Sequence, residues 1–182
     1  SSYRQMVAVD LGSLLDDVVL MARKTFGPEY TITATRWADD PAPVEADESA
    51  LFQALLNLCM NAREAMPDGG PLDITLSPAG EPEPSGLANE VIVKNRSWWQ
   101  IRVHDHGTGM TPETIRRSLE PFFSTKTAAR RGSGLGLPIA YRIIRLHDGI
   151  MKIHSAPGEG TTVDIYLPGI SLTDGKRGED HP

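Results

Sequence analysis

The sequence predicts an α/β domain. Three observations carry that expectation: apolar residues at helical spacing after Asp10 and after Asp47, alternating β-branched stretches such as "EYTITATRW" and "TTVDIYLP", and the alternation of the two kinds of segment along one chain. At 182 residues the chain reads as one domain, long enough to bury about 70% of the surface its unfolded form exposes.

Asp10 is the expected N-cap of a first helix over about 11–25, where Leu11, Leu14, Leu15, Val18, Val19 and Ala22 repeat at helical intervals. "EYTITATRW" follows as a strand, and "DDPAPVEAD" breaks it. A second helix is expected from Asp47, with Leu51, Leu55, Leu58, Cys59 and Ala62 as its core stripe and Asn57, Asn61 and Glu64 on another face. Pro67 and "DGG" stop it, and "PLDITL" is a strand. Residues 78–90, rich in proline, glycine and acid, read as a surface excursion. "SWWQIRVHDHGTGM" is a strand that puts Ile101, Val103 and Asp105 on one face and runs into glycines. A short helical piece, "TPETIRRSLE", and the polar run "STKTAARR" lead to a helix opening with "GSGLGL" and continuing through Ile139, Ile143 and Ile144. "IMKIHS" and "TTVDIYLP" form a closing hairpin, and the charged residues from Gly169 onward read as a tail or linker.

Composition narrows the function. A formal net charge of -6 argues against a nonspecific polyanion binder, so no nucleic-acid partner is expected. The single cysteine, Cys59, excludes an intrachain disulfide and suits a reducing compartment. No apolar run approaches the ~18 residues of a membrane span, so no membrane contact is expected from this stretch and the expected location is cytoplasmic, any anchor belonging to a longer parent. The chain opens "SSYRQ" with neither an initiator methionine nor a signal peptide, as expected of a segment excised from something longer.

Four short motifs carry chemistry. "NLCMNA" places two carboxamides one helical turn apart in an otherwise apolar run; they are either polar-face residues or oxygen ligands for a hard cation such as Mg²⁺. "DHGTGM" delivers Asp105 to a strand end before two glycines. It is either a β-turn or a partly buried carboxylate that accepts a hydrogen bond from an exocyclic amine such as adenine's; guanine, with a carbonyl there, would be repelled. "GSGLGL" gathers backbone N–H groups at a helix start, which suits a phosphate chain, yet it is neither a Walker A loop nor a Rossmann fingerprint, and standing alone it reads first as a flexible glycine hinge. "EPFFSTK" joins Phe122 and Phe123, read as core anchors, to Lys126, which with Arg130 and Arg131 either neutralises phosphate charge or forms a solvated basic loop. His104 and His106 flank Asp105, but a strand sends them to the opposite face, which argues against a zinc site.

Taken in order, "NLCMNA", "DHGTGM", "EPFFSTK" and "GSGLGL" resemble the N, G1, F and G2 boxes of the ATP-binding catalytic domain of sensor histidine kinases, in the superfamily shared with gyrase B, MutL and heat-shock chaperone ATPases. The similarity runs from about residue 10 to 168, and "NAREAMP" with "FFSTK" looks like the nitrogen-regulatory and hybrid subgroup. The resemblance implies a two-layer α/β sandwich of the Bergerat type, a mixed sheet with helices on one face, as a catalytic domain over 1–168 with an ATP lid over about 111–131 and a tail over 169–182. It implies ATP and Mg²⁺ as ligands. Asn61 would hold the metal with Asn57 near the phosphates, Asp105 would bind adenine, and Gly107, Gly109 and Met110 would line its approach. Ser133, Gly134, Leu135, Gly136 and Leu137 would meet the phosphates, and Thr161 would lie near the pocket floor.

The phosphate-neutralising cation departs from the family pattern. Many members carry a basic residue three positions after the second asparagine, where this chain has Glu64; Arg63 and Lys126 are the candidates, and Lys126 the preferred one. The implied activity is transfer of the γ-phosphoryl group to a histidine on a separate dimerisation domain, with a response regulator or receiver domain downstream. None of His104, His106, His147, His154 and His181 sits in the H-E/D-x-x-[NR]-P context of an acceptor, so this chain is expected to bind ATP without carrying its target. In the ATPase branch of the superfamily a glutamate occupies the position of Asn57. The alternatives are therefore an ATP-driven conformational clamp and a nucleotide-binding sensor or scaffold without transfer.

Overall fold

The computed structural model describes residues 5–86, 90–120 and 136–171. Strand β1 (Val7–Asp10) runs into helix α1 (Leu11–Thr25), followed by β2 (Tyr30–Arg36), β3 (Pro43–Ala46), α2 (Glu48–Ala65), β4 (Gly70–Ala79) and β5 (Trp98–Asp105). A short helix α3 (Pro112–Arg117), α4 (Gly136–Leu146), β6 (Ile150–Ser155) and β7 (Thr161–Pro168) complete the order.

Local chemistry sets the helix starts. The Asp10 carboxylate accepts from Ser13 N–H at 3.0 Å and from Ala42 N–H at 2.7 Å, so one side chain caps α1 and ties it to the segment entering β3. The Asp47 carboxylate caps α2 through Ala50 N–H at 3.0 Å. Both caps are the residues the sequence singles out.

The main sheet has the order β2-β4-β5-β7-β6 and is mixed: β2 lies parallel to β4, the other neighbours antiparallel. A parallel pair needs a long crossover, and α2 supplies it between β2 and β4. The strand period of two then sorts the faces. Leu72, Ile74 and Leu76 of β4, Ile101 and Val103 of β5, and Val163, Ile165 and Leu167 of β7 share one core with α1 (Leu14, Val18), α2 (Leu51, Leu55, Leu58) and α4 (Ala140, Ile144). The helices thus cover one face, as the fold class requires.

The opposite face is a polar ladder. Arg102 forks onto the buried Asp164 carboxylate at 2.7 and 3.0 Å, His104 Nδ1 meets Thr162 Oγ1 at 2.8 Å, and His106 Nε2 lies 3.2 Å from Asp73. His104 and His106 accordingly turn away from the helices, on the side opposite Asp105.

Three readings of the sequence are corrected. Residues Pro43–Ala46, inside the segment read as a breaker, form β3 and pair antiparallel with β1, a two-stranded ribbon beside the main sheet. Its proline stands at the first strand position, where a missing N–H is tolerated. The strand expected over 71–76 continues to Ala79, because Ser77, Pro78 and Ala79 find register partners in Gln100, Trp99 and Trp98. Gly169 and Ile170, read as the start of the tail, are held by Ser97 O at 2.8 Å and Pro43 O at 3.0 Å. The rest of the tail beyond 171 lies outside the described residues.

Candidate functional site

The site is built along one row of α2. Asn57, Asn61 and Ala65 stand at i, i+4 and i+8, a line of about 12 Å up one side of the helix. Leu55, Leu58, Cys59 and Ala62 face the core instead. Both asparagine side chains are half-buried, form no side-chain hydrogen bond among the described residues, and keep polar atoms open to solvent. With no protein partner and with access from outside, each amide is available to an incoming polar group as well as to water.

At the Ala65 end of the row, β5 delivers Asp105. Its carboxylate is buried, at 4% exposure, and one oxygen, Oδ1, accepts both Gly107 N–H at 2.8 Å and Thr161 N–H at 3.2 Å. The second oxygen has no protein donor among the described residues and is not sealed from solvent. Burial pushes the Asp105 carboxyl above its ordinary range, with the Gly107 and Thr161 amides partly offsetting the effect. The result is a fixed acceptor with one oxygen held by the fold and the other offered outward.

The glycines after Asp105 are required by packing. A Cβ at residue 107 would stand 2.5 Å from the Ala65 carbonyl oxygen, the atom that also accepts Thr108 N–H at 3.0 Å. Gly109 has φ +66° and a Cβ there would overlap the Ala156 carbonyl. Gly109→Ala is expected to lower the unfolding free energy by more than about 1 kcal/mol, read as a drop in the thermal midpoint. An unchanged melt would show that the turn is not locked.

Ser155 completes this end. Its hydroxyl accepts Met110 N–H at 2.8 Å, donates to Gly160 O at 2.7 Å and lies 2.8 Å from the Thr161 hydroxyl. Ser155 spends its one proton on Gly160 O, so the Thr161 hydroxyl donates to Ser155. Sequence reasoning missed Ser155; the available signal was its place opposite Thr161 across the β6–β7 hairpin.

At the other end of the row lies the start of α4. A Cβ on Gly136 would sit 3.8 Å from the Asn57 carbonyl oxygen, so the first turn of α4 stands beside the first amide. The N–H groups of Gly136 and Leu137 have no partner within α4, and Pro138 has none to satisfy. The Leu137 side chain is buried in the core, which leaves its backbone as the part available to a ligand.

The structure thus gathers Asn57, Asn61, Asp105, Gly107, Gly109, Met110, Thr161, Gly136 and Leu137 around one edge of α2. Arg63 is not among them. At about 200° around the helix from Asn61, its guanidinium packs 5.4 Å above the Phe26 ring, on the α1 side. Lys126, Ser133, Gly134 and Leu135, with Phe122, Phe123, Arg130, Arg131 and the greater part of the expected lid, lie outside the described residues.

A mixed sheet covered on one face by helices, with a carboxylate at a strand end and two amides on the facing helix, defines an α/β sandwich with a ligand site on its helical side. The chain belongs to the histidine kinase-, DNA gyrase B- and HSP90-like ATPase family, whose model matches residues 46–170. It is 33% identical over 175 residues to the sensor kinase CckA of Brucella abortus, covering 96% of this chain and 18% of that protein. It is 38% identical over 129 residues to sporulation kinase C of Bacillus subtilis, covering 71% of this chain and 26% of that protein. Among solved structures, a mycobacterial sensor histidine kinase, MprB, superposes with a TM-score of 0.70 at 25% identity, covering 92% of this chain and 99% of that one. The catalytic domain of histidine kinase ThkA superposes with a TM-score of 0.69 at 24% identity, covering 90% and 95%, and shows the fold. The resemblance to sensor histidine kinase catalytic domains and the expected fold class are both borne out. The chain spans roughly a fifth to a quarter of the length of these two curated relatives.

Proposed function

We propose that this chain is the ATP-binding catalytic domain of a sensor histidine kinase, which transfers the γ-phosphoryl group of ATP to a histidine on a separate dimerisation domain of the same parent protein. The observation that carries the reading is the row along α2: an outward-facing carboxylate oxygen at one end, two amides without protein partners along it, and the opening turn of α4 at the other. Its length of about 12 Å suits a nucleoside triphosphate laid lengthwise.

Asp105 would accept the exocyclic amine of adenine on its outward oxygen, with Gly107, Gly109, Met110 and Thr161 shaping the approach. Gly136 and Leu137 would offer backbone N–H groups to the phosphates, Ser133, Gly134 and Leu135 would contact them as well, and Lys126 is the preferred neutralising cation. The two amides of Asn57 and Asn61 supply the neutral oxygen ligands that Mg²⁺ takes alongside phosphate oxygens, so the residues present fit the ion, with Asn61 its direct ligand. Bound there, Mg²⁺ would neutralise phosphate charge. The protein's own contribution is positioning and electrostatic stabilisation, which is most of what phosphoryl transfer asks.

A further support is the placement of the described histidines. His104 and His106 lie on the polar face of the sheet, and His147 is buried and bonded at both ring nitrogens. His154 is exposed on that same polar face, 3.8 Å from Asp164. These positions support a phosphoacceptor on another domain, and a response regulator or receiver domain would take the phosphoryl group onward. The catalytic domain spans 1–168, with the lid over about 111–131. "NAREAMP" with "FFSTK" supports the nitrogen-regulatory and hybrid subgroup. No helix among the described residues is long and apolar enough to cross a membrane, which fits a cytoplasmic location.

Incubated with γ-labelled ATP, the chain alone is expected to stay unlabelled, while the parent's acceptor helices added in trans become labelled with acid-labile phosphate on histidine. Acid-stable label on serine or threonine would overturn the reading in favour of a serine kinase of the same superfamily.

A further inference from the structure

Helix α4 runs antiparallel to the first half of α2 and meets it at both of its own ends. At one end Gly136 stands beside Asn57; at the other, beyond the last turn of α4, His147 reaches the N-cap of α2. Between these points the contact is apolar, with Leu51, Ala54, Leu55 and Leu58 on α2 and Ala140, Ile143 and Ile144 on α4. Such a face holds two helices together by shape and dispersion, without hydrogen bonds of its own.

His147 supplies the directional contact. Its ring is buried, at 4% exposure, and both nitrogens are used: Nε2 lies 3.0 Å from the backbone N of Asp47, and Nδ1 lies 2.7 Å from the Ile143 carbonyl oxygen. The Asp47 N–H can only donate, so Nε2 accepts and the ring proton sits on Nδ1, where Ile143 O takes it. One side chain therefore links the end of α4 to the start of α2 with two hydrogen bonds of narrow geometric tolerance. Asp47 is itself fixed by its cap to Ala50 and by its carbonyl accepting Leu51 N–H at 3.0 Å.

We infer that His147 is a positioning residue of the nucleotide site: by pinning α4 axially against α2, it sets where the first turn of α4 stands relative to the amides of Asn57 and Asn61, about 16 Å away along the helix. The inference rests on the function proposed above and deepens it. Its consequence is selective. The phosphate end of the site joins α2 to α4, whereas the adenine end is built by β5, the hairpin residues Ser155 and Thr161, and the Ala65 carbonyl. A shift of α4 along α2 displaces the first directly, and reaches the second only through the link from α4 into β6, five residues before Ser155. A change of about 1 Å in such an arrangement is enough to matter.

The test compares Mg-ATP and adenosine binding to the full 182-residue chain carrying His147→Leu, His147→Asn or His147→Gln, each checked for folding by its thermal melt. Glutamine can extend an acceptor to Asp47, whereas asparagine reaches only the nearby Ile143 carbonyl. Leucine and asparagine are expected to weaken Mg-ATP at least tenfold while adenosine affinity stays within twofold, and glutamine to restore Mg-ATP to within threefold of the unsubstituted protein. An asparagine variant with the same ATP-to-adenosine ratio as the unsubstituted chain, or a glutamine variant that loses as much Mg-ATP affinity as asparagine, would overturn the inference. Equal losses for both ligands would do so too, since they mark a residue that only stabilises the fold. The asparagine and glutamine pair decides the matter even if leucine prevents folding. Failure of the unsubstituted chain to bind Mg-ATP would instead overturn the function on which the inference rests.

Discussion

Asp105→Asn is expected to leave the fold intact and to weaken ATP binding roughly tenfold to a hundredfold. The buried carboxylate does two separate jobs with its two oxygens. Oδ1 accepts from Gly107 and Thr161, at 2.8 and 3.2 Å, and an asparagine Oδ1 can accept the same two N–H groups. That choice fixes the amide orientation and turns its NH₂ outward, where the carboxylate had offered an acceptor. The exocyclic amine of adenine then meets a donor, and the lost pairing costs about 1–3 kcal/mol. Calorimetry should show the loss for ATP, with GTP bound weakly by the unsubstituted chain; equal affinities for ATP and GTP would defeat the assignment.

The same substitution should not cost stability. Burial raises the Asp105 carboxyl above its unfolded value of 3.8, so the folded state holds this proton more tightly than the unfolded state does. The stabilisation from that proton is fully present below pH 3.8 and is lost as pH rises through the folded value. At neutral pH the protein therefore carries the desolvation cost of a buried charge that the neutral asparagine avoids. Melts of the two proteins should show the variant equal or more stable near pH 7, and the unsubstituted protein gaining relative to it toward pH 3.8. A variant markedly less stable at pH 7 would mean that Asp105 holds the fold together in some further way.

Much of this arrangement is legible in the sequence because it is local. The caps Asp10 and Asp47 precede apolar residues at helical spacing, and the strand period of β5 places Asp105 on the core face and its two histidine neighbours on the other. The pairing of the two amides follows from the i, i+4 geometry alone. What the sequence hides is non-local. Strands β1 and β3 have four residues each, too few for a period to register, and they exist because each pairs with the other across more than thirty residues. Arg63 reads as a phosphate cation from its neighbours in the motif, but angular position around α2 decides its partner, and Phe26 is the residue it meets. Gly107 and Gly109 read as openings for a ligand, yet the atoms closest to their absent side chains are carbonyls of Ala65 and Ala156. Ser155 and His147 carry no motif of their own. Their importance comes from backbone groups distant in sequence, Met110 N–H for one and Asp47 N–H for the other.

Asn57→Glu is expected to raise ATP hydrolysis by about 10²–10⁴-fold over the unsubstituted chain, which should turn over near background. Hydrolysis needs a base to take a proton from the attacking water, and a carboxamide cannot accept that proton at physiological pH. Residue 57 stands one turn before Asn61 on the same row, half-buried and beside Gly136, which on the proposed function is the phosphate end of the site and where such a base would act. A glutamate there occupies the position that the ATPase branch of the family gives to its own glutamate. On the proposed function the native asparagine would leave bound ATP intact for a histidine acceptor, whose unprotonated ring nitrogen is itself a nucleophile and needs no such base. Glu64 is the rival carboxylate. It is exposed and lies seven residues further along α2, about 10 Å toward the adenine end, so Glu64→Gln should leave both the background rate and the rate of Asn57→Glu unchanged. Phosphate release measured on the unsubstituted chain, the two single variants and the double variant settles the branch: brisk turnover by the unsubstituted chain that Glu64→Gln abolishes would mark a hydrolytic enzyme with its base one turn beyond Asn61, and the kinase reading would fall.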